Sequence, residues 1–170
     1  PDMDVSEAPQ TTEIDTFYSM TLTYPEGLSH NCETLMRDPQ TGDLYLVTKS
    51  SDGQSPVFRK PAPHIDGSET EVEWVTELQF GQAPLSGSAS TTAGAFSPTG
   101  DRLVIRTYSD AWLWYREAGQ SVGEALGTEA CDVEAPSEAQ GEAICLSADG
   151  AGYITISEGA ARPIYYTPLD

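Results

Sequence analysis

Two glutamates, a lysine and an arginine stand at matching places along this 170-residue chain, and they are the residues best suited to chemistry. Glu33 and Glu142 each open a short apolar run, Glu33-Thr34-Leu35-Met36 and Glu142-Ala143-Ile144-Cys145-Leu146. Thr92 takes the corresponding place in a third run. Carboxylates brought together from equivalent positions suit a hard cation, because calcium takes several oxygen ligands. Glu33 and Glu142, with the amide oxygen of Asn31, carbonyls and waters, form a candidate calcium site. The structural alternative is that both accept hydrogen bonds from nearby backbone or pair with Lys49 and Arg106. Lys49, Arg106 and Glu158 lie near the ends of the runs that follow. They suit ion pairs between repeated units, or an anion pocket in which Arg106 is the forked donor.

The other reactive residue types form no recognisable set. His30 and His64 are the only histidines. His30 precedes Asn31-Cys32-Glu33, but a zinc site or cysteine nucleophile needs further partners at recognisable spacing. No Gly-x-Ser-x-Gly elbow is present, and Leu85-Ser86-Gly87-Ser88-Ala89 reads as a loop of small residues. A phosphate-binding glycine loop with Lys-Ser or Lys-Thr is also missing. Cys32, Cys131 and Cys145 allow at most one disulfide; Cys145, inside an apolar run, is expected to be a buried thiol. Alternation places Trp112 and Trp114 on one strand face, packed between units, with a sugar-stacking platform as the sharper alternative.

The elements that must position these residues repeat. Asp38-Pro39-Gln40-Thr41-Gly42, Ser97-Pro98-Thr99-Gly100 and Ser147-Ala148-Asp149-Gly150 are polar turns ending in glycine, each followed by a β-branched and aromatic run. Their spacing is roughly fifty residues, and the flanking runs have strand length. Strands are expected at Glu33–Met36, Leu44–Lys49, Val57–Arg59 and Val72–Phe80, then Thr92–Phe96, Leu103–Thr107, Ala111–Tyr115 and Ala130–Glu134. The last unit has three, Ala143–Leu146, Tyr153–Ser157 and Ile164–Tyr166. An additional strand is expected over Phe17–Tyr24. Four-stranded antiparallel units at this period indicate an all-β chain of β-propeller blades. Three blades cannot close a ring, so a second copy or another chain is expected to complete it, exchanging the first strand. Residues 1–16, acidic and rich in Pro, Ser and Thr, read as a flexible arm before a three-blade segment over 17–170.

Eight Lys and Arg against 27 Asp and Glu leave a net charge of −19. That balance excludes nucleic acid, whose binding needs cations to displace condensed counterions. No apolar run approaches the length of a membrane span. The acidity and the leader-like arm point to a secreted or periplasmic protein, and to stability that rises as salt screens self-repulsion.

Several phrases also resemble a family of uncharacterised bacterial secreted β-propellers, distantly similar to esterase-like phytase and NHL-type propellers. They are Tyr24-Pro25-Glu26-Gly27, Glu33-Thr34-Leu35, Asp38 to Lys49, Phe96-Ser97-Pro98-Thr99-Gly100, Arg106-Thr107-Tyr108, Gln140-Gly141-Glu142-Ala143-Ile144 and Ser157-Glu158-Gly159. The likeness spans roughly residues 20–168, as a repeat architecture requires. It implies further blades upstream, and carboxylates where this chain has Asn31 and Ala95. From the residues and the resemblance together, a non-catalytic ligand- or protein-binding module of an exported protein is expected, with calcium at the channel mouth. A calcium-assisted phosphoester or ester hydrolase is the alternative.

Overall fold

The computed structural model describes residues 14, 16–81 and 89–169. The expected arm lies almost wholly outside them, as does most of the small-residue loop at 85–89. The described chain is all-β, built of several small sheets. A short parallel ribbon pairs β1 (Thr21–Thr23) with β5 (Glu69–Glu71). The first antiparallel sheet runs β2 (Cys32–Arg37), β3 (Leu44–Thr48), β4 (Gln54–Lys60), β6 (Glu73–Gln79). The second runs β7 (Thr91–Phe96), β8 (Arg102–Thr107), β9 (Ala111–Tyr115), β10 (Cys131–Val133). The third has β11 (Gly141–Leu146), β12 (Gly152–Ser157) and β13 (Ile164–Pro168).

The three polar turns are the hinges of this pattern. Gly42, Gly100 and Gly150 have φ of 80°, 73° and 71°, the left-handed region that glycine enters without a Cβ clash. Ser97 and Ser147 close their turns by donating to the Asp101 and Asp149 carboxylates at 2.6 Å, which holds both acids below the ordinary range.

The sheets stack through their first strands, with β7 in contact with both β2 and β11. Period-two alternation then assigns each side chain to a seam. Leu103 and Ile105 of β8 face the first sheet, where they join Tyr45, Val47, Leu78 and Trp114. Val104 faces the third sheet, with Leu113, Ile144 and Tyr153. The middle sheet is covered on both faces, which is why the centre of β8, Leu103-Val104-Ile105, is apolar on both sides rather than alternating.

Three features depart from the sequence reading. The first strand is not an orphan in this chain: β1 pairs with β5. That pairing covers part of the outer face of the first sheet, packing Leu22 and Tyr24 over Leu46, Phe58 and Val72. A short helix, α1 (Val122–Leu126), fills the seam between the first two sheets, capped by Ser121 and Glu124 in a reciprocal capping box. Cys145 is exposed, not buried: it points away from the Ile144 and Leu146 face of β11. Cys131 is exposed too, and all three cysteines are free thiols.

Candidate functional site

The first two strands of each antiparallel sheet share one irregularity. Cys32 faces Thr48 and Thr34 faces Val47, so Glu33 is an extra residue in β2. Thr92 is the extra residue between Thr91 and Ala93, and Glu142 between Gly141 and Ala143. Each is a β-bulge, which bends the strand and re-aims the inserted side chain. The three residues at equivalent sequence positions are thus the bulged residues of three neighbouring inner strands. Side chains stitch the sheets together here. Thr91 Oγ1 donates to the Thr48 carbonyl, and Thr92 Oγ1 to the Gly141 carbonyl, both at 2.8 Å.

Beside the bulges lies a second set of equivalents, the residues that follow β3, β8 and β12: Lys49, Tyr108 and Glu158. Lys49 Nζ donates to Glu33 Oε2 at 2.6 Å and to the Tyr108 hydroxyl at 2.5 Å, and lies 4.5 Å from the Tyr108 ring centre. Burial works to lower the Lys49 pKa, but the hydrogen bonds to Glu33 and Tyr108 outweigh it and hold the ammonium above its ordinary 10.5. Glu142 is half-buried, and its carboxyl is raised above 4.5 by burial and then by the charges of Glu33 and Glu158, against the opposing pull of Lys49. Glu142 therefore senses the charges of Glu33, Glu158 and Lys49, while Glu33 is the carboxylate that bonds the ammonium directly.

Asn31 joins only through its backbone, its carbonyl accepting from the Lys49 N–H at 2.8 Å. Arg106 does not belong to the cluster. Its guanidinium is buried between the second and third sheets, where Nη1 donates to Glu138 Oε2 at 2.7 Å and to the Ala143 carbonyl at 3.1 Å. It is a structural pair, not the donor of an anion pocket. Tyr108 is a further residue of this site, and aligning the three repeats gives it the place that Lys49 and Glu158 hold in theirs.

A metal ion expected at Glu33 and Glu142 would have to compete with Lys49. Among the described residues no three His, Cys, Asp or Glu side chains converge closely enough to hold an ion. The Lys49 ammonium stands against Glu33, where a calcium ion would have to sit. Cys32 is not an activated nucleophile. Burial pushes the Cys32 thiol up, away from the reactive thiolate, and Sγ donates to the Thr34 and Val47 carbonyls. His30 packs edge-on against Tyr24, and His64 Nε2 bonds the Gly42 carbonyl at 2.8 Å.

The raised Glu142 carboxyl makes stability depend on pH. Between 4.5 and its higher folded value, the folded chain keeps a proton that the unfolded chain has lost. Stability therefore falls as pH rises through that window, and the full penalty is present at neutral pH. Glu142→Gln is expected to raise the thermal midpoint at pH 7 and to leave it unchanged below pH 4.5. Paired melting curves at the two pH values check this.

No family model matches the chain. No curated protein matches it either. Among solved structures it is similar to one described as a "putative 6-phosphogluconolactonase" from Bacteroides uniformis ATCC 8492, at a TM-score of 0.54 and 13% identity. The match covers 92% of this chain and 43% of that one, so the chain spans less than half the length of its neighbour. The likeness is one of fold. These findings overturn the resemblance to secreted propellers of the phytase and NHL type: no family or curated match supports it, and the structural neighbour carries a different description.

Proposed function

We propose that this chain is a non-catalytic binding module made of β-propeller-type blades, and that its ligand carries ammonium groups. The bulged Glu33 and Glu142, with Lys49 bonded to Glu33 and the charges of Glu33 and Glu158 both acting on Glu142, are the observation that carries this reading. A cluster with net negative charge and directional oxygens, already holding one alkylammonium, favours a second cation of the same chemistry. Burial holds the neighbouring Cys32 away from its thiolate form. The activity in the neighbour's description would need cations for a sugar phosphate, whereas Lys49 and Arg106 are both engaged by carboxylates.

The blade reading is supported by the sheets that end the stack. On the far face of the third sheet, register aligns Cys145 with Ile154 and Tyr166, and Ala143 with Ile156 and Ile164. All six are apolar, and Ile164 and Tyr166 are 70% and 55% exposed. Such a face is built to pack against another sheet. The unmatched part of the longer structural neighbour is consistent with further blades, supplied by more of the same protein or by a second copy.

Spermidine and calcium, each followed by thermal unfolding, test the ligand. Spermidine is expected to raise the midpoint by mass action, and Glu33→Gln with Glu142→Gln to abolish the shift. Calcium is expected to act only on Lys49→Met, where the competing ammonium is gone. Equal shifts in the wild type and the double glutamine variant would sink the reading.

A further inference from the structure

The outer strands of the first two sheets, β6 and β10, each pair on one side only, and a groove runs between them. One recess of about 490 Å³ extends from β6 across Trp112 to the chain after α1. A second, of about 420 Å³, shares Gln79, Phe80, Trp112 and Asp132 with it, so the two form one elongated trough centred on the Trp112 ring. Phe80 fixes that ring from one side, with centroids 4.6 Å apart and an angle of 50° between planes. Across the β9–β10 pair, Asp132 stands directly opposite Trp112 and so shares its face. Glu77 and Glu129 line the same trough, and no Lys or Arg does. None of these three carboxylates has an ion-pair partner among the described residues.

We propose that this trough binds an extended basic segment of a partner protein, with a lysine or arginine side chain over Trp112 and its charge met by Asp132, Glu77 and Glu129. An indole face attracts cations through its quadrupole, and carboxylates without partners are freed from competing for them. Unpaired strand edges offer backbone groups to an extended chain. The length of the trough favours a peptide over a compact cation, and its charge favours a cation over a neutral sugar. The trough shares no residue with the Lys49 cluster and stands or falls separately.

The test is titration of the 170-residue chain with a hexapeptide of alternating Arg and Ser, read by tryptophan emission and calorimetry. Trp112→Phe and Asp132→Asn are each expected to weaken binding about fivefold to tenfold. Both changes are small, and Asp132 is exposed, so folding is retained. Glu69→Gln with Glu71→Gln removes two charges from the β1–β5 ribbon and is expected to leave affinity unchanged. If the ribbon variant weakens binding as much as Asp132→Asn, attraction is merely that of an acidic surface and the proposal fails. It fails also if arginine amide binds as tightly as the peptide, or if an oligosaccharide binds and the peptide does not.

Discussion

Glu138→Leu is expected to lower the unfolding free energy by about 3–5 kcal/mol, read from urea denaturation. The reason is the fate of Arg106. Its side chain and that of Glu138 are each 1% exposed, so removing the carboxylate leaves a guanidinium charge buried without a counter-charge. Its remaining acceptors, the Thr107 and Ala143 carbonyls, are neutral. The pair is itself imperfectly satisfied: Arg106 Nη2 and Glu138 Oε1 lack hydrogen-bond partners among the described residues. Arg106→Met combined with Glu138→Leu should therefore be far less destabilised than either single variant, since apolar replacement of both charges removes the desolvation penalty as well. Gly141 belongs to the same arrangement. A Cβ there would lie 1.6 Å from Arg106 Nη2, which explains why this strand opens with glycine. A single-variant loss below about 1 kcal/mol would show that the pair is not formed in solution.

Asp38→Ala should be nearly as damaging, at about 3 kcal/mol or more by the same measurement. Asp38 is fully buried and its carboxylate does three things at once. Oδ2 accepts from Arg116 Nη1 at 2.9 Å and from the Thr41 hydroxyl at 3.1 Å, while Oδ1 accepts from the Gln40 N–H at 2.9 Å. The first bond crosses from the second sheet to the β2–β3 turn of the first. The other two shape that turn. Loss of the carboxylate strands Arg116 and loosens the seam that contains Trp114, so near-ultraviolet dichroism should weaken along with stability. An unchanged tryptophan signal would separate the turn from the seam and contradict the crossing role given to Asp38.

The repeat explains how much of this was readable beforehand. Turn chemistry is local: a glycine at positive φ and a hydroxyl or carboxylate two to four residues away can be recognised with no knowledge of the rest of the chain. The strands that flank such turns follow from composition and length, and Leu44–Thr48, Arg102–Thr107 and Gly152–Ser157 lie where the runs place them. The weaker elements depend on what they meet. Thr21–Thr23 and Glu69–Glu71 form a strand pair only because folding brings them together, and nothing in Glu69-Thr70-Glu71 marks a strand by itself.

For the candidate site, equivalence along the sequence located Glu33, Glu142, Lys49 and Glu158, and the bulges bring their charges within reach of one another. Equivalence could not assign partners. Arg106 and Lys49 looked like a matched pair of cations, yet alternation turns Arg106 into a seam and leaves Lys49 among carboxylates. Glu138 lies in an irregular stretch with no repeat counterpart, so no periodicity could announce it. By itself the amino-acid order determined the strands, their turns, the acidic balance and which residues are equivalent. Which sheet faces which, and hence which charge neutralises which, was decided only in the tertiary structure, because side-chain pairing across a seam depends on distances between segments far apart in the chain.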